Sequence, residues 1–218
     1  MEEEKDAGVV IVRNILSLED QLKLIDIIER KGNLKDKDDK WNFLGFRGRC
    51  FSNISKYPDE DAAFLKSCCV KFKEIVEKLD STLVWLPVTH MLTLWYPDTK
   101  GMGWHRDGYG GNDGDEGAPV YSLTLGNSCV FEYKLEDGKK TKKQVVLNSG
   151  DLIVFGGPQR LMLHRVQSVD KGSFDKKEGF NARINLTFRT CTNFNSDDES
   201  AYQTDNYTQK LKEKWAKN

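Results

Sequence analysis

From residue 88 to residue 190 the hydrophobic period of this chain is that of strands. Candidate strands cover 88–96, 103–107, 119–125, 128–133, 143–147, 151–156, 161–167 and 182–190. Turn-forming residues separate them: Pro97-Asp98, Gly126-Asn127, Asp137-Gly138, Ser149-Gly150 and Gly156-Gly157-Pro158. Asp137-Gly138 predicts a hairpin whose tip carries Lys139, Lys140, Lys142 and Lys143. About eight short strands in succession point to two packed sheets, the double-stranded β-helix or jelly roll of cupin-like proteins. The expected class is α+β dominated by β, with helices flanking that core.

The N-terminal residues 1–87 read as a helical extension and a possible substrate lid. Residues 9–12 (VVIV) form a short buried strand. Ser17 caps a helix whose apolar side is Leu18, Leu22, Leu24, Ile25, Ile27 and Ile28, and Gly32 fits its end. A charged loop follows at 31–40. Residues 41–58 mix aromatic and basic side chains with turn residues. A second helix is expected at about 59–79, with a core stripe of Ala62, Leu65, Val70, Phe72, Ile75 and Val76. The core domain is 88–190. Residues 191–218 form a tail with a last helix at about 203–217.

The chain has 218 residues and a formal net charge of −1, so global charge casts no vote for nucleic acid or membrane. Five cysteines without a CxxC pair predict free thiols in a reducing compartment. The acidic start MEEEKDAG lacks the apolar core of a secretory signal, and no stretch has the apolar length of a membrane span. An intracellular protein, cytoplasmic or nuclear, is expected, and a monomer.

Chemistry gathers in the strand-rich half. His105 and Asp107 stand two apart, so on a strand both point to one face. His164 lies beyond the Gly156-Gly157 turn. Two imidazoles and one carboxylate leave three positions open on an octahedral ferrous ion, the pattern of non-haem iron oxygenases. Zinc is the competing metal, though it usually brings more His or Cys ligands. The triplet His105-Arg106-Asp107 with Asn112 also imitates a kinase catalytic loop. No Gly-rich loop, strand lysine or Asp-Phe-Gly accompanies it. On the strand 183–189, Arg183, Asn185, Thr187 and Arg189 share one face, and Ile184, Leu186 and Phe188 share the other. The apolar face is expected in the sandwich core. Guanidiniums bind carboxylates in a bidentate fork, so two arginines near an iron suit 2-oxoglutarate.

Over about residues 88–190 the chain resembles the AlkB family of Fe(II)/2-oxoglutarate-dependent dioxygenases. WHRDGYG looks like the metal-binding H-x-D strand, and APVYSLTLGNSCVFEY like the segment that follows it. GDLIVFGGPQRLMLH is similar to the approach to the second histidine, and RINLTFR to the family's R-x-N-x-T-F-R ending. The resemblance implies that His105, Asp107 and His164 hold Fe(II) and carry catalysis with O2. It implies that Arg183 pairs with the distal carboxylate of 2-oxoglutarate, assisted by Asn185 and Tyr96, and that Arg189 lies near the metal-bound end. Tyr96 stands nine residues before His105, as the family's cosubstrate tyrosine does. Two positions depart from the pattern. Leu94 replaces the family's cosubstrate asparagine, and Tyr109 stands where members that repair alkylated bases often carry an acidic residue.

The resemblance implies an oxidative demethylase of N-methylated nucleobases in DNA or RNA. The alternatives are a protein or small-molecule hydroxylase on the same scaffold, and a binding module without turnover. Trp41, Trp104, Tyr109 and Phe155 are candidate walls for a flipped base. Arg160 is a candidate phosphate contact, and Arg47, Arg49 and the lysines 139–143 could contact a nucleic-acid backbone. Asp113, Asp115 and Glu116 would oppose such contact.

Overall fold

Alternating strands bury two faces only if something covers both, and here a second sheet covers one and helices the other. The computed structural model describes residues 3–33, 42–44, 47–83, 88–107 and 118–189. In chain order the elements are β1 (Glu3–Asp6), β2 (Val9–Val12), α1 (Leu18–Asn33), β3 (Asn42–Leu44), β4 (Arg47–Asn53), α2 (Asp59–Leu79), β5 (His90–Tyr96) and β6 (Lys100–His105). They continue with β7 (Val120–Gly126), β8 (Cys129–Lys134), β9 (Lys142–Leu147), β10 (Leu152–Phe155), β11 (Leu163–Val169) and β12 (Arg183–Arg189). The large sheet has the order β1-β2-β10-β7-β12-β5-β4-β3, and the small sheet β6-β11-β8-β9. The paired strands are antiparallel throughout.

Each strand expected between 88 and 190 is present, with ends shifted by a few residues. The N-terminal segment is more than a helical extension, because β1 to β4 lengthen both ends of the large sheet. The two expected N-terminal helices form, as α1 and α2. Ser17 Oγ accepts the Asp20 amide at 3.1 Å and starts α1. Leu18, at the first turn, is 45% exposed and lies outside the apolar side. On α2, Val70 is 53% exposed, whereas Cys68 and Cys69 are buried beside Leu65 and Phe72. The 3.6-residue period turns position 70 away from the sheet. Cys50, Cys68, Cys69 and Cys129 are buried thiols outside any disulfide. Among the described residues no helix is long and apolar enough to cross a membrane. Trp41, Tyr109, the acidic residues 113–116, Cys191 and the expected helix at 203–217 lie outside the described residues, as do the side chains of Arg47 and Arg49.

Two cores result. One joins the outer face of the large sheet to α1 and α2, and includes Leu24, Leu65, Phe72, Leu123, Ile184, Leu186 and Phe188. The other lies between the sheets, with Tyr96, Val120 and Ile153 facing Phe131, Tyr133 and Val166. This reverses the expectation for β12. Its apolar face lies under the helices, with Phe188 edge-on to Phe72 at 5.7 Å. Its polar face looks into the sandwich. The expectation assumed a single covered face, but all seven residues of β12 are buried.

The strands β6 and β11 meet unusually closely. A Cβ on Gly101 would stand 1.9 Å from the Val166 carbonyl oxygen, beside the irregularity in β11 between His164 and Val166. Only glycine allows that approach. The Gly101→Ala variant should therefore lose about 2–3 kcal/mol of stability and most metal affinity. Gly103→Ala meets open space and should retain both. Thermal unfolding and metal titration of the two variants check this.

Candidate metal centre and cosubstrate pocket

The antiparallel register puts His105 of β6 directly opposite His164 of β11. Their rings lie 4.3 Å apart between centroids. Each ring is oriented the same way. His105 Nδ1 donates to the Gly103 carbonyl at 2.8 Å, and His164 Nδ1 donates to the Met162 carbonyl at 3.1 Å. A carbonyl can only accept, so each Nδ1 carries a hydrogen, and in the neutral ring that leaves the lone pair on Nε2. Both Nε2 atoms stand 3.7 Å from Asp107 Oδ1, too far for a hydrogen bond. The three ligand atoms lie within 4.8 Å of one another. Two nitrogen lone pairs and one carboxylate oxygen thus converge on a common space, which fits a divalent metal such as Fe(II).

The other carboxylate oxygen is occupied. Arg189 Nη2 donates to Asp107 Oδ2 at 2.8 Å, which turns Oδ1 toward the histidines. Burial pushes the Asp107 carboxyl up, but Arg189, then His164, His105 and Arg160, outweigh it. The group is held well below the usual carboxylate range. Burial pushes His164 down to about 4, against the pull of Asp107. Phe131 stacks on the His164 ring at 5.6 Å and Phe155 lies at 5.2 Å. At neutral pH the His164 ring is therefore neutral and fixed, with its Nε2 open to a metal.

The second polar cluster grows from the same face of β12. Arg183 is fully buried and lies 4.9 Å over the Tyr96 ring. Its Nη2 donates to Thr124 Oγ1 and to Asn185 Oδ1, both at 3.1 Å. Asn185 Oδ1 also accepts from Ser122 Oγ at 3.1 Å, and its Nδ2 donates to Thr187 Oγ1 at 2.9 Å. Among the described residues the Nε and Nη1 of Arg183 have no hydrogen-bond partner. A buried guanidinium with two unmet donors is costly, and a carboxylate would satisfy both in one bidentate contact. The residues present thus fit the distal carboxylate of 2-oxoglutarate. Leu94, two residues before Tyr96, packs on the inter-sheet core as an apolar neighbour.

The remaining expected residues separate. Phe155 is buried behind His164 and shapes the metal site from inside. Arg160 is 5% exposed and donates to the backbone carbonyls of Ala118 (2.7 Å) and Asp107 (3.0 Å). Its buried guanidinium thus ties the backbone at Asp107 to that at Ala118, where a phosphate contact was expected. Trp104 sits on the opposite face of β6 from the inter-sheet core, against Lys134 and Arg165. Sequence reasoning assigned no role to Ser122, Thr124 or Phe131. The alternation of VYSLTLG carried the signal for the first two, since Ser122 and Thr124 share one strand face.

Two measurements test this geometry. Unfolded, His164 would titrate near its ordinary 6.5, but folded it titrates at about 4. Between those values the unfolded chain binds a proton that the folded chain refuses, so acidification destabilises the fold. The metal-free protein should lose about 3 kcal/mol through this group between pH 7 and pH 4, and His164→Gln should flatten that slope. Asp107 adds nothing in this window. Its depressed carboxyl contributes stability above the ordinary 3.8 and loses it only below. Urea unfolding at a series of pH values reads both. Arg183→Ala should raise the 2-oxoglutarate requirement at least tenfold while metal binding persists, by analogy with loss of a charged hydrogen-bond pair worth about 1.5–3 kcal/mol. An unchanged requirement refutes the assignment of Arg183.

Comparison with known proteins agrees with the geometry. Residues 40–189 match the family described as the 2OG-Fe(II) oxygenase superfamily. The DNA N(6)-methyladenine demethylase ALKBH1D of Arabidopsis thaliana is 31% identical over 103 residues, 43% of this chain and 23% of that protein. An alpha-ketoglutarate-dependent dioxygenase AlkB homolog of Caulobacter vibrioides is 36% identical over 94 residues, 43% of this chain and 41% of its own. The matched stretch thus spans less than half the length of these relatives. Among solved structures, OsALKBH1 superimposes with a TM-score of 0.63 at 21% identity, covering 87% of this chain and 100% of that one. A Pseudomonas putida prolyl-4-hydroxylase follows at 0.56 and 15% identity, covering 84% and 92%, so the fold extends across the wider group. Since the family match spans most of the chain and contains His105, Asp107, His164 and the buried Arg183, the chain belongs to the 2OG-Fe(II) oxygenase superfamily.

Proposed function

We propose that this protein is an Fe(II)/2-oxoglutarate-dependent dioxygenase that oxidatively demethylates N-methylated nucleobases in DNA or RNA. The observation that supports the chemistry is the pairing of a converging His-Asp-His set with a buried arginine whose Nε and Nη1 lack partners among the described residues. The substrate class draws on the relatives, one of which is named a DNA N(6)-methyladenine demethylase.

Bound iron would supply activation of O2, coupled to oxidation of 2-oxoglutarate to succinate and CO2. The chain's own residues do the rest. His105 and His164 present Nε2 because backbone carbonyls hold each Nδ1 hydrogen. Asp107 presents Oδ1 because Arg189 holds Oδ2. Arg183 takes the distal carboxylate, with Thr124 and Asn185 fixing its plane. Phe131 and Phe155 exclude water from the side of His164. One oxygen atom of O2 enters the N-methyl C–H bond and the other enters succinate. The resulting N-hydroxymethyl group breaks its C–N bond, releasing formaldehyde and the free base.

The test is succinate and formaldehyde formation with methylated and unmethylated oligonucleotides. Strong stimulation by the methylated strand alone, lost in Asp107→Ala, is expected. Turnover that no oligonucleotide stimulates would replace the demethylase with a protein or small-molecule hydroxylase.

A further inference from the structure

The outer face of the small sheet is absent from the chemistry above, yet its residues are unusual. Along β6, β11, β8 and β9 the inward positions include His105, His164, Phe131, Tyr133, Val145 and Leu147. Between them lie Trp104, Arg165, Glu132, Lys134 and Lys142, which strand alternation turns outward. The helices pack on the large sheet, so neither covers this face. Lys134 Nζ is 4.8 Å from the centre of the Trp104 ring, the Arg165 guanidinium 4.9 Å and Lys142 Nζ 6.0 Å.

The charges do not balance. Glu132, nearly fully buried, accepts from Lys142 at 2.7 Å and from Arg165 at 2.5 Å. Lys134 is paired with no carboxylate among the described residues, and it stands directly across from Lys142 in the β8–β9 register. Like charges in direct cross-strand register are destabilising. Lys139 and Lys140 add two exposed cations at the hairpin tip. Glu132 and the Trp104 ring account for part of this clustering, and an external polyanion would answer the remaining charge of Lys134.

We propose that this face binds the phosphodiester backbone of a single-stranded nucleic acid, with Trp104 as a stacking surface among the cations. Its partner rests on the demethylase reading, and the charge cluster supports it independently. An aromatic ring set in a basic groove is the common device for holding single strands. Trp104 immediately precedes His105, and β6 is the edge strand of the small sheet. A strand lying on the outer face has only that edge to round before a base reaches the histidines.

The test is salt-dependent binding of the full chain to an oligothymidylate of about 15 nucleotides, long enough for one site. The double variant Lys134→Gln, Lys142→Gln should weaken binding roughly ten- to thirtyfold near 0.1 M salt and lower the log–log salt slope by about 1.4. Lys134→Gln alone breaks no ion pair among the described residues and should lower the slope by about 0.7, which keeps the test valid if the double variant unfolds. Lys71→Glu, on α2 beyond the large sheet, should leave binding unchanged. An unchanged slope in the lysine variants overturns the proposal. Equal competition by inorganic polyphosphate and oligonucleotide would also overturn it, because Trp104 should favour the strand with bases. Trp104→Ala should abolish that preference. Reduced slopes without any methyl-dependent turnover would uphold the surface and reject the demethylase. Methyl-dependent turnover with unchanged slopes would do the reverse.

Discussion

The burial of β12 on both faces is the constraint from which the rest of the structure follows. It lies between β5 and β7 in the middle of the large sheet. On the helix side Ile184, Leu186 and Phe188 are fully buried against α2 and its neighbours. Each such side chain contributes roughly 1.5–3 kcal/mol by leaving water. That apolar anchoring fixes the register, and the register decides where every residue on the opposite face points. Arg183, Asn185, Thr187 and Arg189 are therefore carried into the sandwich, where guanidiniums would otherwise be unfavourable. They are tolerated because Thr124, Ser122, Asp107 and one another answer part of their hydrogen-bonding capacity.

The two ends of this face are answered differently. At Arg189 the partner is internal, the Asp107 carboxylate, and the result is a carboxylate whose other oxygen is turned toward the two histidines. At Arg183 the internal partners cover only Nη2, and the open donors mark where an external carboxylate fits. One strand thus links the candidate metal-binding residues to the unmet donors of Arg183 through a rigid backbone. The other ligand pair depends on β6 and β11, whose close approach at Gly101 lets His105 and His164 face each other.

Legibility in the sequence follows the physics of each element. The strands from β5 to β12 were readable because they alternate and end at turn residues with particular backbone preferences. β1 was not readable, since EEKD offers no apolar alternation and forms only by pairing with β2 at the sheet's edge. β4 was equally silent, because RGRCFSN carries arginine and glycine and gains its strand form from β5. Among site residues, the metal ligands and both arginines were visible as reactive types at informative spacings. Ser122 and Thr124 were hidden because hydroxyls on a strand are commonplace, and the burial of Arg160 cannot be read from composition.

The amino-acid sequence by itself determined the strand-rich core, the ligand types, and the alternation that groups Arg183 with Asn185 and Arg189. These are local properties, set by side-chain chemistry and the two-residue period. Only the tertiary structure decided that the polar face of β12 looks inward, that Arg160 serves backbone carbonyls, and that Trp104 gathers three cations on the outside. Those outcomes depend on which sheet face meets the helices and which strands become neighbours. They are contacts between residues far apart in the chain, and no local pattern encodes them.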